Sequence, residues 1–122
     1  MGYDIHITRK QDWFEDEPQI SAEEWSAYIA SDPSMRLDGY AEASTPDGVL
    51  RYENDGLAVW IGYSRHGAGG NMAWFDFRNG DVVIKNPDPE ILKKMWSVAQ
   101  ALKAKVQGDE GETYGADGEV ER

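Results

Sequence analysis

With 122 residues, 23 acidic against 12 basic side chains, a net charge of −11 and no cysteine, the chain has room for one domain. That balance argues against nucleic acid and anionic membrane as partners, because phosphate contacts need clustered Lys and Arg. The missing thiols exclude disulfides, thiol catalysis and zinc sites built on Cys.

No apolar run approaches the roughly 18 residues that span a bilayer, and residues 1–20 hold no signal-peptide core, so a soluble, cytoplasmic protein is the expectation. Tyr3 to Thr8 alternates apolar and polar and predicts a strand with Ile5 and Ile7 on its buried side. On its polar side Asp4, His6 and Thr8 are neighbours, and His6 reads first as an ordinary half-exposed strand histidine. Residues 10–19 form a polar loop to which Trp13 and Phe14 serve as pins. Ser21-Ala22-Glu23-Glu24 is a capping box, flanked by Ile20 and Trp25 at the spacing of a hydrophobic staple. Pro33 disfavours helix at the residue before it, so the helix covers 22–31.

Residues 32–56 are harder to read. They hold two turn signals, Thr45-Pro46-Asp47-Gly48 and Asn54-Asp55-Gly56, with a short strand at 49–52 between them that is expected to pair with 57–63. Met35, Leu37 and Tyr40 are expected to act as loop anchors. The stretch from Leu57 to Lys85 organises the rest, as three antiparallel strands over 57–63, 72–78 and 81–85. Asn79-Gly80 tolerates the positive φ angles of a type I′ turn, which sets Arg78 opposite Asp81, Phe77 opposite Val82, Phe75 opposite Ile84 and Trp74 opposite Lys85. Ala73, Phe75, Phe77, Val82 and Ile84 then share the core face. Alternation in the preceding strand places Trp60 beside Trp74 on the other face. Asp88 and Pro89 suit the N-cap and first turn of a second helix, whose stripe of Ile91, Met95, Val98 and Leu102 should cross the sheet. A short edge strand follows at 104–107.

The predicted fold is α+β: an antiparallel meander of three to five strands, the N-terminal strand included, with two helices packed on one face. Residues 1–107 form the domain, and 108–122 read as an acidic, mobile tail too poor in apolar side chains to order itself.

No catalytic or cofactor motif stands out, and the residues point to a binding protein more than to an enzyme. As a catalytic alternative, His6 with Asp4 beside it has the form of a base oriented by a carboxylate. His66 joins it only if both histidines reach one cleft, together with Arg9, Arg65 and the glycine-rich loop from residue 64 to residue 71. That loop lacks a following Lys-Ser/Thr and leads into a strand, so neither a P-loop nor a dinucleotide fingerprint is present. No metal-ligand spacing and no cofactor is indicated. The leading reading is a small acidic domain that covers a basic site on a protein partner. Its anchors would be Trp13, Trp60 and Trp74, its acidic rim Glu15, Asp16, Glu17, Asp109, Glu110 and Glu112, and Arg65 an added contact. A homo-oligomer joined through a sheet edge or the Trp face is a third reading.

Four stretches carry a resemblance: YDIHITR from Tyr3, ISAEEW from Ile20, KNPDP from Lys85, and VQGDEGE from Val106 with Tyr114 after it. Together they resemble a group of small uncharacterised bacterial proteins of about this length. The resemblance covers most of the chain outside residues 32–56 and the last few positions, and implies no activity, cofactor or catalytic residue. By analogy alone, some comparable small acidic proteins are immunity proteins that neutralise a cognate toxin.

Overall fold

The computed structural model describes residues 3–70 and 72–121. Met1, Gly2, Asn71 and Arg122 lie outside the described residues, and with them the last position of the expected glycine-rich connection. Among the described residues nine strands and two α-helices follow one another as β1 (Asp4–Thr8), α1 (Ala22–Ser31), β2 (Met35–Leu37), β3 (Tyr40–Thr45), β4 (Gly48–Glu53), β5 (Leu57–Trp60), β6 (Trp74–Arg78), β7 (Asp81–Lys85), α2 (Pro89–Ala101), β8 (Lys105–Gly108) and β9 (Thr113–Tyr114), with a 3-10 turn at Ala68–Gly70 before β6. Seven of the strands form one antiparallel sheet in the order β2-β5-β6-β7-β1-β8-β9, while β3 and β4 pair only with each other. The fold is α+β, as the element order predicts, with more strands than the meander expected.

The turn at the centre of the sheet is the one the sequence specifies. Asn79 and Gly80 both have positive φ, 55° and 76°, and the ladder pairs Arg78 with Asp81 and Phe77 with Val82. Gly80 is required twice over, because a Cβ there would lie 2.5 Å from the Gln19 side chain. The backbone of the loop after β1 closes on this turn, with the Ile20 amide donating to the Gly80 carbonyl at 3.0 Å.

Both helices start at the predicted caps. Ser21 Oγ accepts from the Glu24 amide and Glu24 reaches back to the Ser21 amide, each at 3.0 Å. Asp88 accepts from the Ile91 amide at 2.8 Å, with Pro89 in the first turn. Trp25 and Ile29 of α1, and Ile91, Met95, Val98 and Ala99 of α2, bury against Ile5, Ile7, Phe75, Val82, Ile84 and Val106 of the sheet. Full burial of side chains such as Phe75, Met95 and Val98 stabilises the fold by about 1.5–3 kcal/mol each. Trp25 stacks near Phe77 and donates its indole N–H to the Gly56 carbonyl at 2.8 Å. Both helices therefore cover one face of the sheet, and the other face is left to loops.

Four expectations are corrected. Trp60 is not beside Trp74, because β5 pairs Ala58 with Phe75 and Val59 with Trp74. That parity sends Trp60 to the helix side, where it stacks on Tyr63 and lies 5.8 Å from Lys94 Nζ. The strand around 49–52 pairs with β3 and not with β5, since the turn at Pro46-Asp47 closes β3 and β4 into a hairpin and β2 takes the free edge of β5. Of the three loop anchors only Met35 is buried, whereas Leu37 and Tyr40 are exposed. Finally, the sheet extends past residue 107. β8 runs to Gly108, β9 pairs with β8, and the Glu121 amide returns to the Thr113 carbonyl at 2.8 Å. Backbone hydrogen bonds carry this extension, where apolar side chains are few.

Candidate binding clefts on the helix-free face

Alternation along the central strands puts His6, Leu57, Val59, Trp74, Asp76, Asp81, Val83 and Gln107 on the face opposite the helices. Two walls rise from it. One is the loop from Arg9 to Gln19, the other the β3–β4 hairpin, held over the sheet by Tyr52 Oη donating to Asp76 at 3.1 Å and by Asn54 donating to Asp76 at 2.6 Å. Each wall bounds a cleft, and the two clefts meet at Arg78 and Val83.

The first cleft, of about 580 Å³, is lined by His6, Lys10, Trp13, Phe14, Asp81 and Asp109, with Asp4, Glu15 and Asp16 also on its walls. Its floor is a buried polar network. His6 is 4% exposed, so the half-exposed strand histidine expected from the sequence is corrected. Its Nε2 lies 2.8 Å from Asp109 Oδ1, and its ring stacks on Trp13 at 4.2 Å with the planes 4° apart. Trp13 is fixed in turn, with its amide donating to Gln107 and its indole N–H to the Asp109 carbonyl. Asp4 contributes its backbone amide to Asp109 Oδ2 at 3.0 Å, so the carboxylate that orients His6 is Asp109 and not the Asp4 side chain. Burial alone would raise the Asp109 carboxyl, but the hydrogen bonds from His6 and the Asp4 amide outweigh it and hold the group below the usual carboxylate range. His6 Nδ1 is sealed from solvent and has no partner among the described residues.

Beside this network Lys10 Nζ lies 3.2 Å from Asp81 Oδ2 and donates to the Asn79 carbonyl at 2.8 Å, with both side chains buried. Above it the rim is acidic and carries one large apolar side chain in water, Phe14, 67% exposed and edge-on to Trp13. The second cleft, of about 350 Å³, is lined by Leu57, Trp74, Val83 and Lys85 of the sheet and by Ala41 and Tyr52 of the hairpin.

Of the residues singled out from the sequence, the first cleft gathers His6, Trp13, Glu15, Asp16 and Asp109. Trp74 lines the second. Glu17 is exposed in the same loop as Trp13. Glu112 is bound by the hydroxyls of Tyr3 and Tyr114, and the Glu110 amide donates to Tyr3, at the β8–β9 edge. Arg65 and His66 lie in the connection after β5, whose Ser64 bonds Glu90 of α2, and neither of them lines the cleft that holds His6. Trp60 is on the helix side. Lys10, Arg78, Asp81 and Gln107 were not singled out. The hairpin register carries a signal for Asp81, and alternation in β8 one for Gln107, but nothing local marks Lys10. Among the described residues no group of three or more His, Asp or Glu side chains is placed to hold a metal ion, and no helix is long and apolar enough to cross a membrane.

No family model, curated protein or solved structure that was compared matches the chain.

Proposed function

We propose that the protein is a small acidic protein-binding domain, immunity-like in character, that covers a basic site on a protein partner with the loop from Arg9 to Gln19. The observation that carries this reading is Phe14, held in water at the lip of a cleft whose rim is Glu15, Asp16, Asp4 and Asp109. An exposed aromatic ringed by carboxylates suits a cationic patch: the ring supplies the buried contact and the acids supply attraction and orientation. Trp13 gives the lip a rigid base: stacking on His6 and the indole N–H bond to Asp109 fix its ring, and the amide bond to Gln107 fixes its backbone, before any partner arrives. The net charge of −11 extends the attraction beyond contact range.

The test is a partner screen at low ionic strength with the wild type and with a Phe14→Ala, Glu15→Gln, Asp16→Asn variant. All three positions are exposed, so the core is left untouched. A genuine partner is basic, is lost with the variant, and associates about tenfold or more slowly at about 0.15 M salt than at low salt. A screen that recovers no basic protein, or one bound equally by the variant, removes the proposal.

A further inference from the structure

The cleft beneath the β3–β4 hairpin is chemically unlike its neighbour. Leu57 and Val83 form an apolar floor, the Trp74 ring is half-buried along one side, and Ala41 and Tyr52 close the other. Its polar groups are unbalanced. The Asp76 carboxylate is already occupied by Tyr52, Asn54 and Arg78. Among the described residues, Lys85 Nζ and the Trp74 indole N–H have no hydrogen-bond partner, and Arg78 keeps donors beyond its 3.6 Å contact with Asp76. Among the described residues its side chains thus offer open donors, with two cations against one carboxylate on its lining, in a chain that is otherwise strongly acidic. Asp4, across the ladder from Lys85, is a further carboxylate on this face.

We propose that this cleft is a binding site for a small planar aromatic carboxylate, its ring lying against Trp74 and Val83 and its anionic group meeting Lys85. A volume of about 350 Å³ lies within the range of small-molecule sites, which are mostly apolar with a few placed polar groups. Ring stacking and apolar contact supply most of the affinity, and the Lys85 ammonium selects the charge. This site is separate from the acidic lip of the neighbouring cleft, so it stands whether or not a basic partner binds there.

The experiment is a titration of the isotope-labelled protein with 1-naphthoate, and in parallel with the neutral 1-naphthalenemethanol, followed by backbone amide shifts and by Trp fluorescence. A bicyclic ligand of this size is expected to bind with Kd of about 0.1–1 mM. Saturable shifts should centre on Leu57, Trp74, Val83 and Lys85, and the alcohol should bind about tenfold more weakly. Lys85→Gln, at an exposed position, should bring the carboxylate down to the alcohol's affinity. Ala41→Trp, on a hairpin outside the core, should block both ligands by filling the cleft. Shifts that are absent or centred elsewhere, equal affinity for acid and alcohol, or undiminished binding by either variant would each overturn the assignment.

Discussion

Breaking the Lys10–Asp81 pair should destabilise the protein far more than deleting it. The two side chains are 3% and 5% exposed and their charged atoms are 3.2 Å apart. At an effective dielectric of about 20 their attraction is about 5 kcal/mol, and taking each ion out of water costs several kcal/mol, so the net value of the pair is close to zero. Asp81→Asn removes the anion and strands a buried ammonium whose remaining partner is the Asn79 carbonyl. That change should cost about 3–5 kcal/mol, which lowers the urea midpoint by roughly 2 M for a slope of about 2 kcal/mol per M. The double variant Lys10→Met, Asp81→Leu removes both charges together and should recover most of the loss. Urea unfolding followed by Trp fluorescence, run as a double-mutant cycle, measures the coupling. A single variant that costs under about 1 kcal/mol, or a double variant that costs the sum of the two singles, would refute the reasoning.

Two further outcomes follow from the caps and charges. Replacing Ser21 by Ala opens the capping box of α1 and should cost about 0.5–2 kcal/mol in the same unfolding assay, whereas replacing the neighbouring exposed Glu23 should be nearly neutral. The Asp32 carboxyl would be raised by burial, but hydrogen bonds from Lys94, Tyr28 and Ser34 prevail and hold it well below the usual range. Its contribution to stability is therefore full above the unfolded carboxylate pKa of about 4 and is lost as pH falls below it toward the lower folded value. Asp32→Asn should flatten that part of the stability–pH curve between about pH 4 and pH 2, read as urea midpoints.

What could be read from the chain alone was whatever its own neighbours dictate. The box at Ser21, the Asp88-Pro89 start and the Asn79-Gly80 turn each depend on residues within four positions, and each stands where it was expected. Trp60 failed because its face is set by the pairing of Ala58 with Phe75, a register no turn between them specifies. The partner of His6 was illegible for a similar reason. Asp109 is 103 residues away, and the two meet only because β8 lies beside β1. The sequence made Asp4 the natural orienter of His6, yet only its backbone amide reaches the network. Residues 32–56 resisted because their strands are short or lie outside the core, where hydrophobic alternation carries little signal.

The β3–β4 ribbon contributes nothing to the packed interior, and its two ends are already latched: the Asn54 amide donates to the Gly39 carbonyl at 3.0 Å. A protein trimmed across that latch, with a single short bridge in place of the intervening arm, keeps every side chain packed between the sheet and the helices. It also keeps the acidic lip while losing the roof over Leu57 and Val83. Such a shortened molecule would separate two clefts that share one sheet face, and it offers the ribbon's place as a graft point for a reporter.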